Sequence, residues 1–320
     1  MSKIITTNNG QQYQTPGIGT TIGAIYAGGV ASTAISLGGN IVNSMPFDKY
    51  VQKSQKNQDT VEVRKAVEKA IQKTGLKAKG VEVIDVKTPT NLGNSSENIR
   101  HLLLGEKTLE ELHPENKKLV SALKDGMNDF MRDSTFGKIQ TEKMIQMLEK
   151  GRNALFAPKN KRGGNKVIIN IEKLGVATFH EIGHAMNHNM SKFWKSMQKL
   201  RVPMMLTGGT FSLIALMKRP KAEGEEPKNA FDKTTTFIKN NVGKLVTLSF
   251  VPIVAEELKA TSRGNKLAKE LLSPEIAKKV KTLNKFGAIT YIGCAGVSGL
   301  AAYVANVIRD AIAHPQKIQD

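Results

Sequence analysis

Four stretches without charged residues interrupt an otherwise charge-rich chain. The first lies at 16–47, and the last, 286–308, is 23 residues long. A helix that crosses a bilayer needs about 20 apolar residues, so both of these stretches are long enough to span one. The two stretches between them, 202–217 and 245–255, are short for a span, and each fits a tilted, re-entrant or buried helix. The pattern therefore predicts about four apolar helices.

Small residues dominate the first uncharged stretch, which is rich in Gly, Ala, Ser and Thr. They recur four positions apart, at Gly19 and Gly23, Ala24 and Gly28, and Ala27 and Ala31. Such spacing lets membrane helices approach closely. A flexible glycine-rich leader is the alternative, and the length and spacing favour the membrane helix. The polar start MSKIITTNNGQQYQ is unlike a cleaved signal peptide, in which a short apolar core directly follows the charged end.

The region 48–175 has the pattern of a soluble α+β stretch. The run TVEVRKAVEKAIQKTG repeats apolar positions at helical spacing and ends at Gly75, and VEVIDV alternates like a strand. Further helices are predicted over most of 108–132 and over 138–150. The run NALFAPKNKRGGNKVIINI predicts a hairpin whose second strand is 166–171. A methionine stripe on the two helices indicates core packing; it consists of Met127, Met131, Met144 and Met147.

The formal net charge of +19 attracts polyanions, either nucleic acids or anionic membrane faces. Scattered lysines, an aromatic content of only 5%, and the lack of a zinc-finger, RNP-like or glycine-rich phosphate motif argue against nucleic acid as the main partner. Lysine-rich surfaces beside lipid explain the charge better in a chain with apolar stretches, so the lipid bilayer is the expected partner. Cys294 is the only cysteine, which excludes an intramolecular disulfide and a thiolate metal cluster.

The distribution of basic residues predicts a membrane topology. Lysines and arginines number 29 in 48–201 and 8 in 256–285. If four segments cross, both regions lie on the same side, and their basic excess places that side in the cytoplasm. The segment 218–244 fits less well, because it carries seven basic residues and would lie outside unless the second and third apolar segments dip in without crossing.

The run VATFHEIGHAMNH, at 176–188, contains the pattern H-E-x-x-H. On a helix His180 and His184 share one face and can bind one ion, while Glu181 lies about 100° round the helix, where it can contact a metal-bound water. Imidazole suits zinc, which tolerates the open position that catalysis needs. The uncharged neighbours suit a buried helix, and Gly183 indicates close packing because glycine lowers helix propensity. A pair of helix-face histidines without metal is the alternative.

A third protein ligand is needed to complete a zinc site. His188 is a poor candidate, because three consecutive turns of one helix do not easily converge on a tetrahedral ion. Glu256 and Glu257 follow an apolar stretch, where they are costly unless a positive charge neutralises them. We favour Glu257 as the ligand, since Ala260 then lets the helices lie close and Thr261 can orient a ligand. The alternative is that both glutamates cap a membrane helix at its water-facing end.

Three motifs together resemble a known family. HEIGHAM is followed by an apolar hairpin, then by E-x-x-A-T-x-R-G, and then by an apolar segment that contains AITYIG. This order resembles the bacterial membrane-embedded zinc metallopeptidases of the gluzincin group, above all the neutral zinc membrane peptidases with HEVGHA and E-x-x-A-S-x-R-A motifs. HtpX-type quality-control proteases and CAAX prenyl proteases are more distant kin. The resemblance covers about 153–308 and leaves 48–152 unmatched.

The resemblance assigns roles to four residues: His180, His184 and Glu257 are the expected zinc ligands, and Glu181 is the expected general base. The implied activity is that of a membrane-bound zinc-dependent endopeptidase, which hydrolyses peptide bonds with a metal-activated water. Its substrate is a peptide or protein. Its expected location is a bacterial inner membrane, with the active site on the cytoplasmic side.

Other residues are expected around this centre. Arg263 matches the family arginine, and Arg263 or Tyr291 is a candidate to steady the oxyanion. Thr261 stands where the family has serine or aspartate, and Gly264 where it has alanine, so the surroundings of the ligands differ from the family pattern. An extended substrate can add as a strand to the expected edge strand, which consists of Lys166, Val167, Ile168, Ile169 and Asn170.

The predicted fold is mostly α with a small β-hairpin or sheet: a membrane-associated, zincin-like α+β catalytic domain with about four apolar helices. Its predicted parts are a tail and glycine-rich membrane segment (1–47), a soluble α+β region (48–152), a metallopeptidase core with an apolar hairpin at 202–255 (153–285), and a C-terminal membrane helix and tail (286–320). Two rival interpretations are a catalytically silent membrane protein with a structural zinc site, and a soluble basic protein whose apolar stretches are ordinary core.

Overall fold

Helices form 74% of the computed structural model, which describes residues 2–54, 59–86, 119–123, 134–159 and 163–318. The predicted mostly α architecture with small sheets is therefore confirmed. The helix predicted over 108–132 falls largely outside the described residues, as do Met127 and Met131. Residues 119–123, which are described, are helical.

The described helices have clear local causes, which α2 illustrates. The Asp59 side chain accepts the backbone N–H of Glu62 at the start of α2, and Gly75 ends it with a φ of 69°, a conformation that favours glycine. The helices are α1 (Ile18–Ser54), α2 (Thr60–Lys73), α3 (Thr135–Glu149), α4 (Ile171–Leu174), α5 (Thr178–Met190), α6 (Lys192–Met217), α7 (Ala230–Asn240), α8 (Val242–Ser249), α9 (Val251–Leu271) and α10 (Pro274–Ile312).

The described strands form two small sheets. One contains β1 (Ile4–Thr6), β2 (Gln12–Gln14) and β6 (Gln316–Lys317) in the order β1-β2-β6, with antiparallel pairing throughout. The other contains β3 (Glu82–Asp85), β4 (Ala154–Ala157) and β5 (Lys166–Ile169) in the order β3-β5-β4. Strands β4 and β5 are the two antiparallel arms of the predicted hairpin, and β3 runs parallel to β5.

The chain divides into two compact units, each assembled from separate segments. The first unit comprises Met1–Met45, Lys199–Val254 and Ile289–Asp320, and the second comprises Pro46–Gln198 and Ala255–Ala288. The division of the sequence into four consecutive parts stays a prediction.

Three described helices are long and apolar enough to cross a membrane: Ile18–Lys53, Lys192–Met217 and Pro274–Ile312. They contain the first, second and fourth of the apolar stretches that the sequence marks out. The stretch 245–255 is divided, because α8 ends at Ser249 and α9 begins at Val251. Pro252 lies in the first turn of α9, where its missing backbone N–H leaves no helical hydrogen bond unmade.

Small residues of α1 pack within the first unit at some of the predicted positions. A Cβ atom added to Gly28 would lie 2.7 Å from the carbonyl oxygen of Ala305, and Ala24 is fully buried. By contrast, a Cβ added to Gly19 or Gly23 would meet nothing within 4 Å. Of the glycines in the predicted pattern, Gly28 therefore lies at a close backbone contact, whereas Gly19 and Gly23 do not.

Basic residues between α6 and α8 are mostly paired with acids of the first unit. Four of the seven basic residues in 218–244 form ion pairs, which lowers the effective charge of this segment. The positive-inside rule counts lysines and arginines whether or not they are paired, so this segment still fits the predicted topology poorly. The pairs are Lys218–Asp232, Arg219–Glu225, Lys221–Asp232 and Lys239–Asp310.

The core of the second unit lies on both faces of the β3-β5-β4 sheet. Val167 and Ile169 of β5 pack on one face with buried residues of α2, α5 and α9, while Ile168 packs on the other face with α3. This alternation is the ordinary period of a strand. All three residues are fully buried, and each such side chain contributes about 1.5–3 kcal/mol through removal of its apolar surface from water.

Candidate metal centre

Helix α5 presents the two histidines of the H-E-x-x-H pattern on one face, as predicted. The Nε2 atoms of His180 and His184 are 3.0 Å apart, and the two rings stand nearly perpendicular, at 89°. The helix is buried along most of its length, and Phe179 and Ile182 belong to the core of the second unit. The packing of this apolar face fixes the direction in which both imidazoles point.

Helix α9 brings Glu257 to the same point. Its Oε2 atom lies 3.1 Å from Nε2 of His180 and 3.3 Å from Nε2 of His184. Bonds of 2.0–2.1 Å in tetrahedral zinc sites imply ligand atoms about 3.3 Å apart. The three atoms therefore stand close to the spacing at which they can share one ion, and Glu257 is a candidate for the third ligand.

Glu256 lies on the other side of His184 and has a different set of contacts. Its Oε1 atom is 2.9 Å from Nδ1 of His184, and it accepts the side-chain N–H groups of Asn187 at 2.8 Å and Gln198 at 2.7 Å. A carboxylate on Nδ1 holds the proton there and leaves Nε2 free to bind a metal. The two adjacent glutamates therefore have different contacts. Glu257 faces the Nε2 atoms of both histidines, whereas Glu256 contacts Nδ1 of His184 and constrains the orientation of its ring.

His180 has its own orienting group. The hydroxyl oxygen of Thr261 is 3.3 Å from Nδ1 of His180, on the side of the ring opposite the ligand atoms. This is the position that the sequence predicts for Thr261. Each histidine therefore has an oxygen on Nδ1, and the ring planes are constrained from both sides.

Two glycines allow α5 and α9 to touch along their backbones. A Cβ atom added to Gly183 would lie 2.2 Å from the carbonyl oxygen of Ala260, and one added to Gly264 would lie 2.4 Å from that of Phe179. Ala260 is fully buried. The close packing expected from Gly183 and Ala260 is present, and Gly264 adds a second contact. Both contacts bring the carboxylate within reach of the imidazoles.

Acidic groups dominate the charge of this cluster. Glu181, Glu256 and Glu257 are 7%, 0% and 1% exposed, and buried carboxylates are costly without a compensating positive charge. Burial opposes a charge on His184, but the nearby Glu257 and the hydrogen bond to Glu256 outweigh it and raise the pKa of His184 to about 10. The negative charge of the buried glutamates, which stabilises the protonated form of His184, also favours a bound metal cation at this position. The group of His180, Glu181, His184, Glu256 and Glu257 can hold a metal ion.

The remaining predicted residues occupy different positions. His188 lies with its Nδ1 atom 3.1 Å from Oε1 of Gln198, on the far side of the Glu256 network. Arg263 is half-buried, and its burial outweighs the field of Glu256 and lowers the pKa of its guanidinium. Tyr291 belongs to the first unit, where the Arg201 guanidinium lies 5.9 Å from its ring centroid.

Asn187 and Gln198 both donate hydrogen bonds to Glu256, and the sequence alone identifies neither of them as part of this cluster. Asn187 lies three residues after His184 on the same helix, a spacing that could have indicated a shared face. Gln198 comes from the first turns of α6, and also donates to the carbonyl oxygen of His184 at 3.0 Å. No pattern along the sequence indicates that contact.

The prediction that residues 166–170 form an edge strand is wrong. Lys166, Val167, Ile168 and Ile169 form β5, which is the central strand because β3 and β4 pair with its two sides. Asn170 leaves the strand and caps α4, where its side chain accepts the N–H of Lys173. Among the described residues, the edge of the sheet that contacts α5 is β4.

Comparison of the chain with protein-family models, with curated proteins and with solved structures finds no match.

Proposed function

We propose that this protein is a membrane-bound zinc-dependent endopeptidase. The observation that carries the proposal is the convergence of His180, His184 and Glu257 on one point, with Glu181 on the adjacent face of α5. Two imidazoles and one carboxylate form a ligand set that zinc accepts in hydrolytic enzymes. Three candidate membrane-spanning helices support the association with a bilayer.

The chain supplies the groups that peptide hydrolysis needs. A bound zinc ion would provide a Lewis acid that polarises the scissile carbonyl and makes water acidic near neutral pH. A carboxylate oxygen of Glu181 takes a proton from the attacking water and then delivers it to the leaving amide nitrogen. Glu256 and Thr261 keep both histidines oriented while the charges change.

Strand β4 is the element best placed to hold an extended substrate. It is an edge of the described sheet, it contacts α5, and its pairing with β5 leaves alternate backbone groups of Ala154–Ala157 directed outward. An added peptide strand would form main-chain hydrogen bonds with these groups. This assignment moves the substrate strand from 166–170 to 154–157.

Replacement of Glu181 tests the proposal. We expect Glu181→Gln to lower the rate of casein or self-cleavage by about 10²–10⁴-fold, since the amide cannot accept the proton of the attacking water. Zinc content should stay near that of the unmodified protein because Glu181 is not a proposed ligand. The measurement is turnover and metal content of detergent-solubilised protein.

The peptidase proposal would be contradicted if the unmodified protein and Glu181→Gln were both inactive while both contained zinc. That outcome would favour the structural zinc site in a catalytically silent membrane protein. If the purified protein contained a different divalent metal, the assignment of zinc to the proposed site would be wrong.

We also propose a four-pass arrangement with the metal centre on the cytoplasmic side of a bacterial inner membrane. His184 and Glu257 meet in one cluster, so the chain between them crosses an even number of times. If α6 crosses, the return must lie in 218–254, and the apolar residues around Phe250 can supply it despite their division. The basic excess of 48–201 then places that region inside.

Cysteine labelling tests this topology in a Cys294→Ala background, which has no other cysteine. We expect an impermeant maleimide to label Glu226→Cys in intact cells, because the ends of the chain and this loop lie outside. Lys69→Cys, an exposed position on α2, should be labelled only after lysis. Equal labelling of both variants in intact cells would rule the arrangement out.

A further inference from the structure

The turn between α5 and α6 carries large apolar side chains on its surface. Met190, the last residue of α5, is 51% exposed, and Phe193, in the first turn of α6, is 59% exposed. Phe193 stacks edge-on against Trp194, with ring centroids 5.0 Å apart. Contiguous exposed apolar surface is one mark of a membrane-interaction site.

Basic residues surround these apolar side chains. The segment 190–199 contains three lysines and no acidic residue. Lys259 approaches from α9, with its Nζ atom 5.9 Å from the centre of the Trp194 ring, within the range of a cation–π contact. All of these residues belong to the second unit except Lys199. We use the name interfacial patch for Met190, Lys192, Phe193, Trp194, Lys195 and Lys259.

The length of α6 places the interfacial patch at a defined depth. A hydrocarbon core of about 30 Å takes about 20 helical residues, so a span that ends at Met217 begins near Gln198. Lys199 and Arg201 then lie in the first turn of the span, where long basic side chains reach back to the headgroups. Trp194 lies four residues further out, which is about 6 Å along the helix. The headgroup layer on each side of the core is about 5–8 Å thick. Trp194 and its neighbours therefore fall in that layer.

We infer that the interfacial patch binds the headgroup layer of an anionic bilayer. Tryptophan is enriched at this depth because its ring is apolar and its N–H is polar. Lysines beside it attract anionic lipid headgroups. The patch combines both features at the start of a helix long enough to span, so a lipid surface fits it better than a protein partner does.

This surface restricts the substrate, a step that rests on the proposed function. His184 lies six residues before Met190 on α5, which is about 9 Å along the helix axis. A metal centre held so near the headgroups acts on polypeptide segments beside the membrane. The substrate class is therefore membrane-anchored protein cleaved next to its anchor, rather than freely soluble protein.

Trp194 is the only tryptophan in the chain, so its fluorescence reports on the patch without any label. The full chain is placed in nanodiscs of phosphatidylcholine and phosphatidylglycerol, some with lipids brominated near the headgroup end or the methyl end of the acyl chains. We expect blue-shifted emission, weak quenching by aqueous acrylamide, and stronger quenching by the shallow bromines. Strong acrylamide quenching without bromine quenching, or stronger quenching by the deep bromines, would overturn the inference.

The lysines are tested by a triple variant, Lys192→Gln, Lys195→Gln and Lys259→Gln. It should lose the additional blue shift that the unmodified protein shows when phosphatidylglycerol replaces phosphatidylcholine. The matched control replaces three exposed lysines of the second unit that lie outside the patch, Lys65, Lys69 and Lys77, and should keep that shift. If the unmodified protein, the triple variant and the control all showed the same blue shift, the lysines would not contribute to binding of the patch to anionic lipid.

A cleavage assay then tests the substrate class separately from the proposed chemistry. One peptide sequence is supplied either free in solution or tethered to the same nanodisc, and the tethered form should be cleaved faster. Phe193→Asp should reduce this preference. Bromine quenching without any cleavage would reject the peptidase proposal and keep the lipid surface, whereas equal cleavage of both substrates would reject the substrate restriction.

Discussion

Glu257→Gln should remove most of the metal from the purified protein, whereas Glu256→Gln should weaken metal binding without abolishing it. Glu257 places Oε2 3.1 and 3.3 Å from the two Nε2 atoms, so its loss removes one of the three proposed protein ligands. Glu256 contacts Nδ1 of His184, and loss of such an orienting carboxylate typically costs about 10–100-fold in metal affinity. We expect the Glu257 variant to lose more than this.

The measurement is metal content and competition with a chelator for both variants, in protein that elutes normally in detergent. Glu270→Gln is the matched control on α9, because Glu270 pairs with Lys73 away from the histidines and should keep full metal content. If Glu256→Gln lost more metal than Glu257→Gln, the two roles would be exchanged and the assignment of the third ligand would fail.

Gly183→Ala and Gly264→Ala should each destabilise the second unit and lower its metal content. The new methyl group would meet a backbone carbonyl oxygen, that of Ala260 or Phe179, and a backbone atom cannot rotate away as a side chain can. Overpacking of this kind costs about 1–3 kcal/mol, which lowers the melting temperature by about 2–4 °C per kcal/mol in a unit of this size. Separation of α5 and α9 would also lengthen the distance between Glu257 and the histidines.

Thermal unfolding and zinc content in the same preparation check this result. Gly38→Ala is a suitable control, because a Cβ there meets nothing within 4 Å and alanine favours a helix. Normal stability and full metal content in both variants would mean that α5 and α9 do not depend on backbone contact.

The part of the metal centre that could be predicted depends on local geometry. His180, Glu181 and His184 are neighbours on one helix, and helical spacing alone puts both imidazoles on one side. The choice between Glu256 and Glu257 is different, because the two residues lie about 100° apart around α9. Which of them meets Nε2 depends on how α9 is rotated against α5, and that rotation is set by contacts between residues about 80 positions apart.

The errors in the sheet and in the apolar segments have the same origin. The sequence indicates β3 as a strand, but its parallel pairing with β5 joins Glu82 to Lys166 across the chain, and no local pattern reveals it. Without that partner, β5 looks like an edge. Likewise, composition alone joins the residues of 245–255, whereas the structure divides them at Phe250 between α8 and α9.

The contact of Gly183 with Ala260 has a further consequence for how this protein tolerates change. The separation of α5 and α9 is set by backbone contact with backbone, which no exchange of neighbouring core residues can shorten. Substitutions among the surrounding aliphatic side chains can loosen the fold and still leave the coordinating atoms at their spacing. Substitutions in the surrounding core can therefore change the stability of the second unit with little effect on the distances among His180, His184 and Glu257.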